Sequence, residues 1–187
     1  APAIGACGYF LLVREPVSAR LVYGATKLFT LLWPAIAWFL ILGERSPAPP
    51  GLRHHLRALP LGTLTGLAIG LAIVGLSQTL LWEELVSSAP RIRAKAEAFG
   101  VLQYYWAFAV PFSIGHSLLE EYYWRWFVFG RLHGLVRPVM AHLVAGLAFA
   151  GHHIVIASVY FGPLWGLPMG LATGLGGIVW SLLFARQ

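Results

Sequence analysis

The sequence PVMAHLVAGLAFAGHHIVIASVYFGPLWGLPMGLATGLGGIVWSLLFA, residues 138–185, contains no Asp, Glu, Lys or Arg. A membrane-spanning helix needs about 20 predominantly apolar residues, so this run is too long for one span and too short for three. Phe161-Gly162-Pro163 interrupts it with a turn signal. The run therefore predicts two transmembrane helices, residues 138–161 and 163–185, joined by a tight turn.

Working outward, the same pattern recurs toward the N-terminus. Residues 58–82 and 98–119 are uncharged, and residues 28–43 form a shorter run. The shorter run becomes a full span if Lys27 extends its ammonium group to the membrane interface. Within the first of these runs, small residues recur every fourth position, a pattern that predicts a close helix contact; they are Gly62, Gly66 and Gly70.

Composition supports a membrane protein throughout. The chain is 58% hydrophobic and 11% charged, whereas soluble domains carry about 25% charged residues. We predict an all-α polytopic transmembrane helical bundle, with about six spans plus short interfacial or re-entrant helices, forming a single membrane domain over residues 1–187. We expect a multi-pass integral protein of a bacterial plasma membrane.

The remaining composition excludes several functional classes. The net charge of +6 does not indicate nucleic-acid binding, because the basic residues are scattered without a basic stripe and suit a membrane surface instead. The single cysteine excludes an intrachain disulfide. The chain has no HExxH or GxSxG motif, and because it contains no Asp it cannot be an intramembrane aspartyl protease.

Three charges lie in LLEEYYWRWFVFG, residues 118–130, which is otherwise apolar and aromatic. A charge at the bilayer centre costs roughly 2.5–3.5 kcal/mol on insertion scales, so it needs a reason. Glu121 and Arg125 are four residues apart, and on a helix they face each other as an ion pair. Glu120 lacks that partner, which leaves it available as a general base. His116, one turn earlier, either orients Glu120 or bonds a backbone carbonyl.

His152 and His153 lie in the middle of the predicted span 138–161, where two imidazoles must find polar partners. Adjacent helical residues point about 100° apart, so at most one of them should face a given site. His116 and His152 are possible site residues, and the alternative for a buried histidine is a helix–helix hydrogen bond. Phe149, one turn before His153, could form a wall of the site.

These residues resemble two motifs of one protein family. EEYYWR, residues 120–125, resembles the EExxxR motif of the CPBP family, which comprises CAAX proteases and bacteriocin-processing intramembrane proteases, also called Abi. FAGHH, residues 149–153, resembles that family's FxxxH motif, with His153 at the position of the functional histidine. The resemblance covers about residues 104–186, which we interpret as a CPBP-like protease core.

The resemblance implies an intramembrane endopeptidase that cuts a peptide or protein substrate in or at the lipid bilayer. Glu120 would activate a water molecule and His153 would hold or polarise it, while Arg125 would pair with Glu121 and fix the helix. The family's third motif, a histidine followed four residues later by Asn or another polar residue, has no match after His153. We therefore expect a C-terminally truncated fragment, with a degenerate family member as the alternative, and in either case an inactive chain.

Two alternatives stay open. Glu120 and His153 are too few ligands for a typical catalytic zinc, which has three protein ligands. We therefore expect no obligatory cofactor, although a zinc metalloendopeptidase remains possible. The second alternative is a non-catalytic membrane protein, such as a transporter or proton-relay component, that uses the buried Glu/His cluster.

Overall fold

The computed structural model describes residues 2–13, 15–44, 52–98 and 100–186. All regular secondary structure in these ranges is helical, as predicted. The α-helices are α1 (Pro2–Cys7), α2 (Pro16–Ala35), α3 (Leu52–Ser77), α4 (Trp82–Ala98), α5 (Tyr105–Glu120), α6 (Gly130–Leu135) and α7 (Pro138–Ala185). Three π-helical segments in the described chain extend α1, α2 and α5, namely π1 (Gly8–Leu12), π2 (Ile36–Ile41) and π3 (Glu121–Phe129), and a short 3₁₀ turn, Leu102–Tyr104, precedes α5.

Three of the described helices are long and apolar enough to cross a membrane, and they cover Val17–Ile41, Leu59–Ser77 and Pro138–Ala185. The first begins just after Glu15, whose carboxylate accepts hydrogen bonds from the backbone N–H groups of Val17 and Ser18 and so caps α2. The all-α bundle is confirmed, whereas the number of passes stays a prediction.

Helix α7 is broken where the sequence predicts a turn. Gly162 has φ 75° and ψ 163°, a conformation that glycine adopts readily, and Pro163 follows it. The two arms, residues 138–161 and 163–185, form an antiparallel hairpin, since the residues in contact across it lie progressively further apart in sequence with distance from the turn. These pairs are Gly166 with Ser158, Gly170 with Ile154, and Gly174 with Ala150.

The close helix contact therefore lies on a different glycine stripe from the one predicted. A Cβ atom built on Gly62, Gly66 or Gly70 would have no heavy atom of the described structure within 4 Å. The prediction for α3 is wrong within this chain, because a small-residue stripe permits close packing without choosing a partner. In α7 the turn at Gly162 brings the opposite arm of the hairpin against the glycines, so the packing partner is known.

Helix α4 packs against the break in α7. Pro163 has no N–H to donate to the carbonyl of Val159, and the turn at Gly162 interrupts the helical hydrogen bonds around Tyr160. The buried hydroxyl of Ser88 donates to the Tyr160 carbonyl at 2.9 Å, and Arg91 Nη1 donates to the Val159 carbonyl at 3.4 Å. Helix α4 thus supplies hydrogen-bond donors to two carbonyls beside the turn.

Candidate functional site

The candidate site begins at a change of helix type. α5 ends at Glu120 and the π-helical segment π3 begins at Glu121. π-Helical turns are rare and occur frequently at functional sites, because the wider turn redirects side chains. Here the two neighbouring glutamates are directed to different surroundings, Glu120 toward α7 and Glu121 toward its own helix.

Three imidazole rings lie close to one carboxylate oxygen of Glu120. Its Oε1 lies 3.3 Å from His116 Nε2, 3.2 Å from His152 Nε2 and 4.0 Å from His153 Nε2. Glu120 is thus not paired with Arg125, as expected, and His116 lies close enough to orient it. A carboxylate that is mostly buried needs hydrogen-bond donors, and histidines from its own helix and from α7 surround it.

The structure brings both adjacent histidines to the same carboxylate, which corrects the expectation that only one of them would face the site. Their ring centroids are 3.9 Å apart. Side chains whose Cα–Cβ bonds diverge by about 100° can still converge when they are long and the shared partner lies between them. Glu120, on π3's N-terminal boundary, occupies that position between His152 and His153.

The orientation of His153 has a chemical consequence. Its Nδ1 lies 3.1 Å from the Phe149 carbonyl oxygen, which can only accept, so Nδ1 carries the proton. In the neutral imidazole, Nε2 is then an acceptor, and it faces the Glu120 carboxylate across 4.0 Å. Two acceptors at this separation suit a bridging group that donates to both, and water has two protons to donate.

The Glu121–Arg125 ion pair forms, with 3.3 Å between Arg125 Nε and Glu121 Oε1. Its geometry is not that of a hydrogen bond, since Nε and Nη2 of Arg125 have no hydrogen-bond partner among the described residues. The buried guanidinium lies instead over the rings of Phe149 at 4.6 Å and Trp180 at 5.4 Å. Cation–π contact thus supports this charge. Trp180 carries no signal in the sequence that distinguishes it from other aromatic residues of the span.

Phe149 lies at the centre of these contacts and is 3% exposed. Its ring packs edge-on against Trp124 at 5.6 Å, and its carbonyl orients His153. It therefore separates the Arg125 guanidinium from the histidines. The structure places Phe149 where the sequence suggested a wall.

Lys27 completes the polar cluster, and sequence reasoning assigned it elsewhere. Its Nζ lies 3.1 Å from His116 Nδ1, so the ammonium group is directed to this cluster. Lys27, Glu120 and His152 line a cavity of about 70 Å³ that is bounded by α1, α2, α5 and α7. The overlooked signal is a lone lysine within the apolar span Val17–Ile41, where an unpaired charge is costly.

The residues present fit a divalent cation in number. One ligand atom from each of Glu120, His152 and His153 lies within 4.8 Å of the others. This corrects the count of two available ligands, because His152 adds a third, the number typical of catalytic zinc. The hydrogen bond from His153 to the Phe149 carbonyl is of the type that orients metal-binding histidines. His152 Nδ1 is buried and lacks such a partner among the described residues.

Comparison with known proteins supports the resemblance. The model of one family, described as type II CAAX prenyl endopeptidase Rce1-like, matches residues 102–187. The predicted resemblance to the CAAX-protease family is thereby confirmed over that part of the chain. No curated protein and no solved structure matches the chain. Together with the three apolar helices, the match supports an integral membrane protein.

Proposed function

From the premise that residues 102–187 match the type II CAAX prenyl endopeptidases, we propose that the protein is an intramembrane endopeptidase that uses a Glu120-activated water. The observation that supports this most is the pair formed by the Glu120 carboxylate and His153 Nε2, 4.0 Å apart. Two hydrogen bonds of about 2.8 Å meeting at one water oxygen can span such a distance. One water can therefore touch both groups.

In the proposed reaction, Glu120 takes a proton from this water molecule. The water oxygen attacks the carbonyl carbon of the scissile peptide bond at the same time. His153 Nε2 accepts the second water proton in a hydrogen bond and orients the attack. The tetrahedral intermediate collapses when its C–N bond breaks and the proton held by Glu120 passes to the leaving nitrogen. The hydrogen bond from His152 to Oε1 and the close approach of His116 Nε2 keep the carboxylate in place.

The same residues accommodate a metal-assisted version of the chemistry. Glu120, His152 and His153 would hold a divalent ion, which when bound acts as a Lewis acid and favours a water-derived nucleophile. In either version the three side chains of the chain keep the reacting water next to the bond. Removing metal ions with a chelator and measuring the cleavage rate distinguishes the metal-assisted version from the metal-free version.

The test uses the natural protein that contains these residues, purified into liposomes and given a prenylated peptide with a C-terminal CAAX sequence. We expect Glu120→Gln and His153→Ala each to lower the cleavage rate at least about 10²-fold, the usual contribution of general acid–base catalysis. Matched controls are Glu84→Gln on α4 and His133→Ala on α6, which lie outside the site and should keep parental activity.

Wild-type cleavage in either site variant, at equal folded protein, would rule out the assigned roles. Activity that persists after 1,10-phenanthroline treatment supports water held by side chains alone, whereas loss restored by Zn²⁺ supports the metal-assisted version.

The transporter alternative has one observation in its favour, the connected file Lys27–His116–Glu120–His152. A relay of this kind would move protons across liposomes without cutting peptide. Proton flux that Glu120→Gln abolishes, in a protein that cleaves no peptide tested, would favour this second function over proteolysis.

A further inference from the structure

Lys27 is the feature that the proposed chemistry does not use. It lies within the apolar span Val17–Ile41 and belongs to the part of the chain that precedes the family match at residues 102–187. An intramembrane ammonium group without a function is costly, so its position calls for a specific partner. Neither its place in an apolar helix nor the family match, which begins at residue 102, explains what Lys27 does.

The partner of Lys27 defines a direction for the hydrogen bonds. An ammonium group can only donate, so in the 3.1 Å contact His116 Nδ1 is the acceptor. The neutral imidazole then carries its proton on Nε2. That nitrogen lies 3.3 Å from Glu120 Oε1, so the N–H edge of the ring faces the carboxylate. The order of contact is therefore Lys27 to His116 to Glu120.

We propose that Lys27 is a positioning residue, which fixes the His116 ring and its Nε2–H tautomer so that His116 holds the Glu120 carboxylate in its working orientation. This inference rests on the proposed function, because it assigns Glu120 the water-activating role. It joins α2, from the unmatched half of the chain, to α5 in the matched half.

The contacts on Glu120 show why its orientation matters. His116, His152 and His153 all approach the same oxygen, Oε1. Held in this way, the carboxylate faces His153 Nε2 across 4.0 Å, a distance that one water molecule can bridge. The adjoining cavity, about 70 Å³ and lined by Lys27, Glu120 and His152, is large enough for water, since one molecule in the liquid takes about 30 Å³.

A merely structural role for Lys27 makes a different prediction. If the ammonium group only stabilised the packing of α2 against α5, its loss would lower the melting temperature and the amount of folded protein. The kcat of the protein that remains folded would then be unchanged. The two roles are therefore separated by kinetics normalised to folded protein.

The kinetic test compares Lys27→Met, Lys27→Gln and His116→Ala in liposomes. We expect Lys27→Met to lower kcat about 10-fold with KM unchanged, because the substrate does not need Lys27 to bind. Lys27→Gln should retain more activity than Lys27→Met, since its amide N–H can still donate to His116 Nδ1. The control Leu28→Ala changes the exposed neighbour of Lys27 on the same helix and should match the parent protein.

A double variant tests the role of Lys27 more directly than the single variants do. Lys27 acts through His116, so the double variant Lys27→Met/His116→Ala should lose no more activity than His116→Ala alone. Losses that multiply, or a Lys27→Met protein with parental kcat, would overturn the positioning role.

A direct measurement distinguishes failure of this inference from failure of the proposed function. In ¹⁵N-histidine NMR spectra, the signal removed by His116→Ala should show a proton on Nε2 in the parent protein and a mixture of tautomers in Lys27→Met. A proton on Nδ1 in the parent, or an unchanged spectrum in Lys27→Met, would refute the inference even in a protein that cleaves nothing. Parental cleavage by Glu120→Gln would instead refute the catalytic assignment alone.

Discussion

Arg125 shows at the scale of one residue how a buried charge is held in this bundle. It is 3% exposed, pairs with Glu121 at 3.3 Å and lies over the rings of Phe149 and Trp180. Glu121→Gln should lower the free energy of unfolding by about 1–2 kcal/mol, less than the 3–5 kcal/mol of fully buried pairs, because the Glu121 side chain is half exposed and partly screened by its surroundings. Thermal unfolding in detergent measures the change.

The double variant Glu121→Gln/Arg125→Met serves as the internal check. It removes the cation together with its partner, so it should be more stable than Glu121→Gln alone. A double variant less stable than both single variants would show that stacking on Phe149, rather than the unpaired charge, sets the energy.

The same scale separates what the sequence can predict from what it cannot. Glu121 and Arg125 are four residues apart on one helix, so their contact is local and can be predicted from the spacing in the sequence. Lys27 and His116 are 89 positions apart, and their contact depends on how α2 packs against α5. The sequence makes His152 only a possible site residue, because helical geometry gives the direction of a Cβ atom but not the place where a long side chain ends.

At the scale of the element, the α7 hairpin depends on glycines that admit the opposite arm. A Cβ atom on Gly174 would lie 2.7 Å from the Ala150 Cβ, whereas one on Gly176 would meet nothing within 4 Å. Gly174→Ala should therefore lower the free energy of unfolding by about 1–3 kcal/mol, the usual cost of overpacking. Gly176→Ala, two residues away, should cause no loss, because alanine favours helix more than glycine does.

Unfolding of both variants in detergent gives the comparison. Equal stability of the two would contradict the close packing of the arms.

The turn at Gly162-Pro163 was predictable because its signal is local, whereas the stripe on α3 was misread because nothing in its spacing identifies a partner.

At the scale of the molecule, the part of the chain without a family match is joined to the matched part through contacts distant in sequence. Trp38 of π2 stacks on Trp126 of π3 at 4.8 Å, and Arg131 of α6 lies 5.0 Å from the Trp38 ring while pairing with Glu44 at 2.8 Å. Together with Lys27–His116, these contacts place α2 and π2 alongside α5, π3 and α6. Composition predicted a helical bundle, but this pairing needs the folded chain.

Trp126 gives a test of that junction. Trp126→Ala removes the stack with Trp38 and with Tyr122, which lies 5.4 Å away, and should lower the free energy of unfolding by about 2–3 kcal/mol, below the 3–5 kcal/mol of fully buried aromatics. Trp106→Ala is the matched control, since Trp106 is 75% exposed and should leave stability nearly unchanged. Because the junction also brings Lys27 to His116, Trp126→Ala should lower kcat as well. A destabilised Trp126→Ala protein with parental kcat would show that the two parts of the chain hold the site independently of this stack.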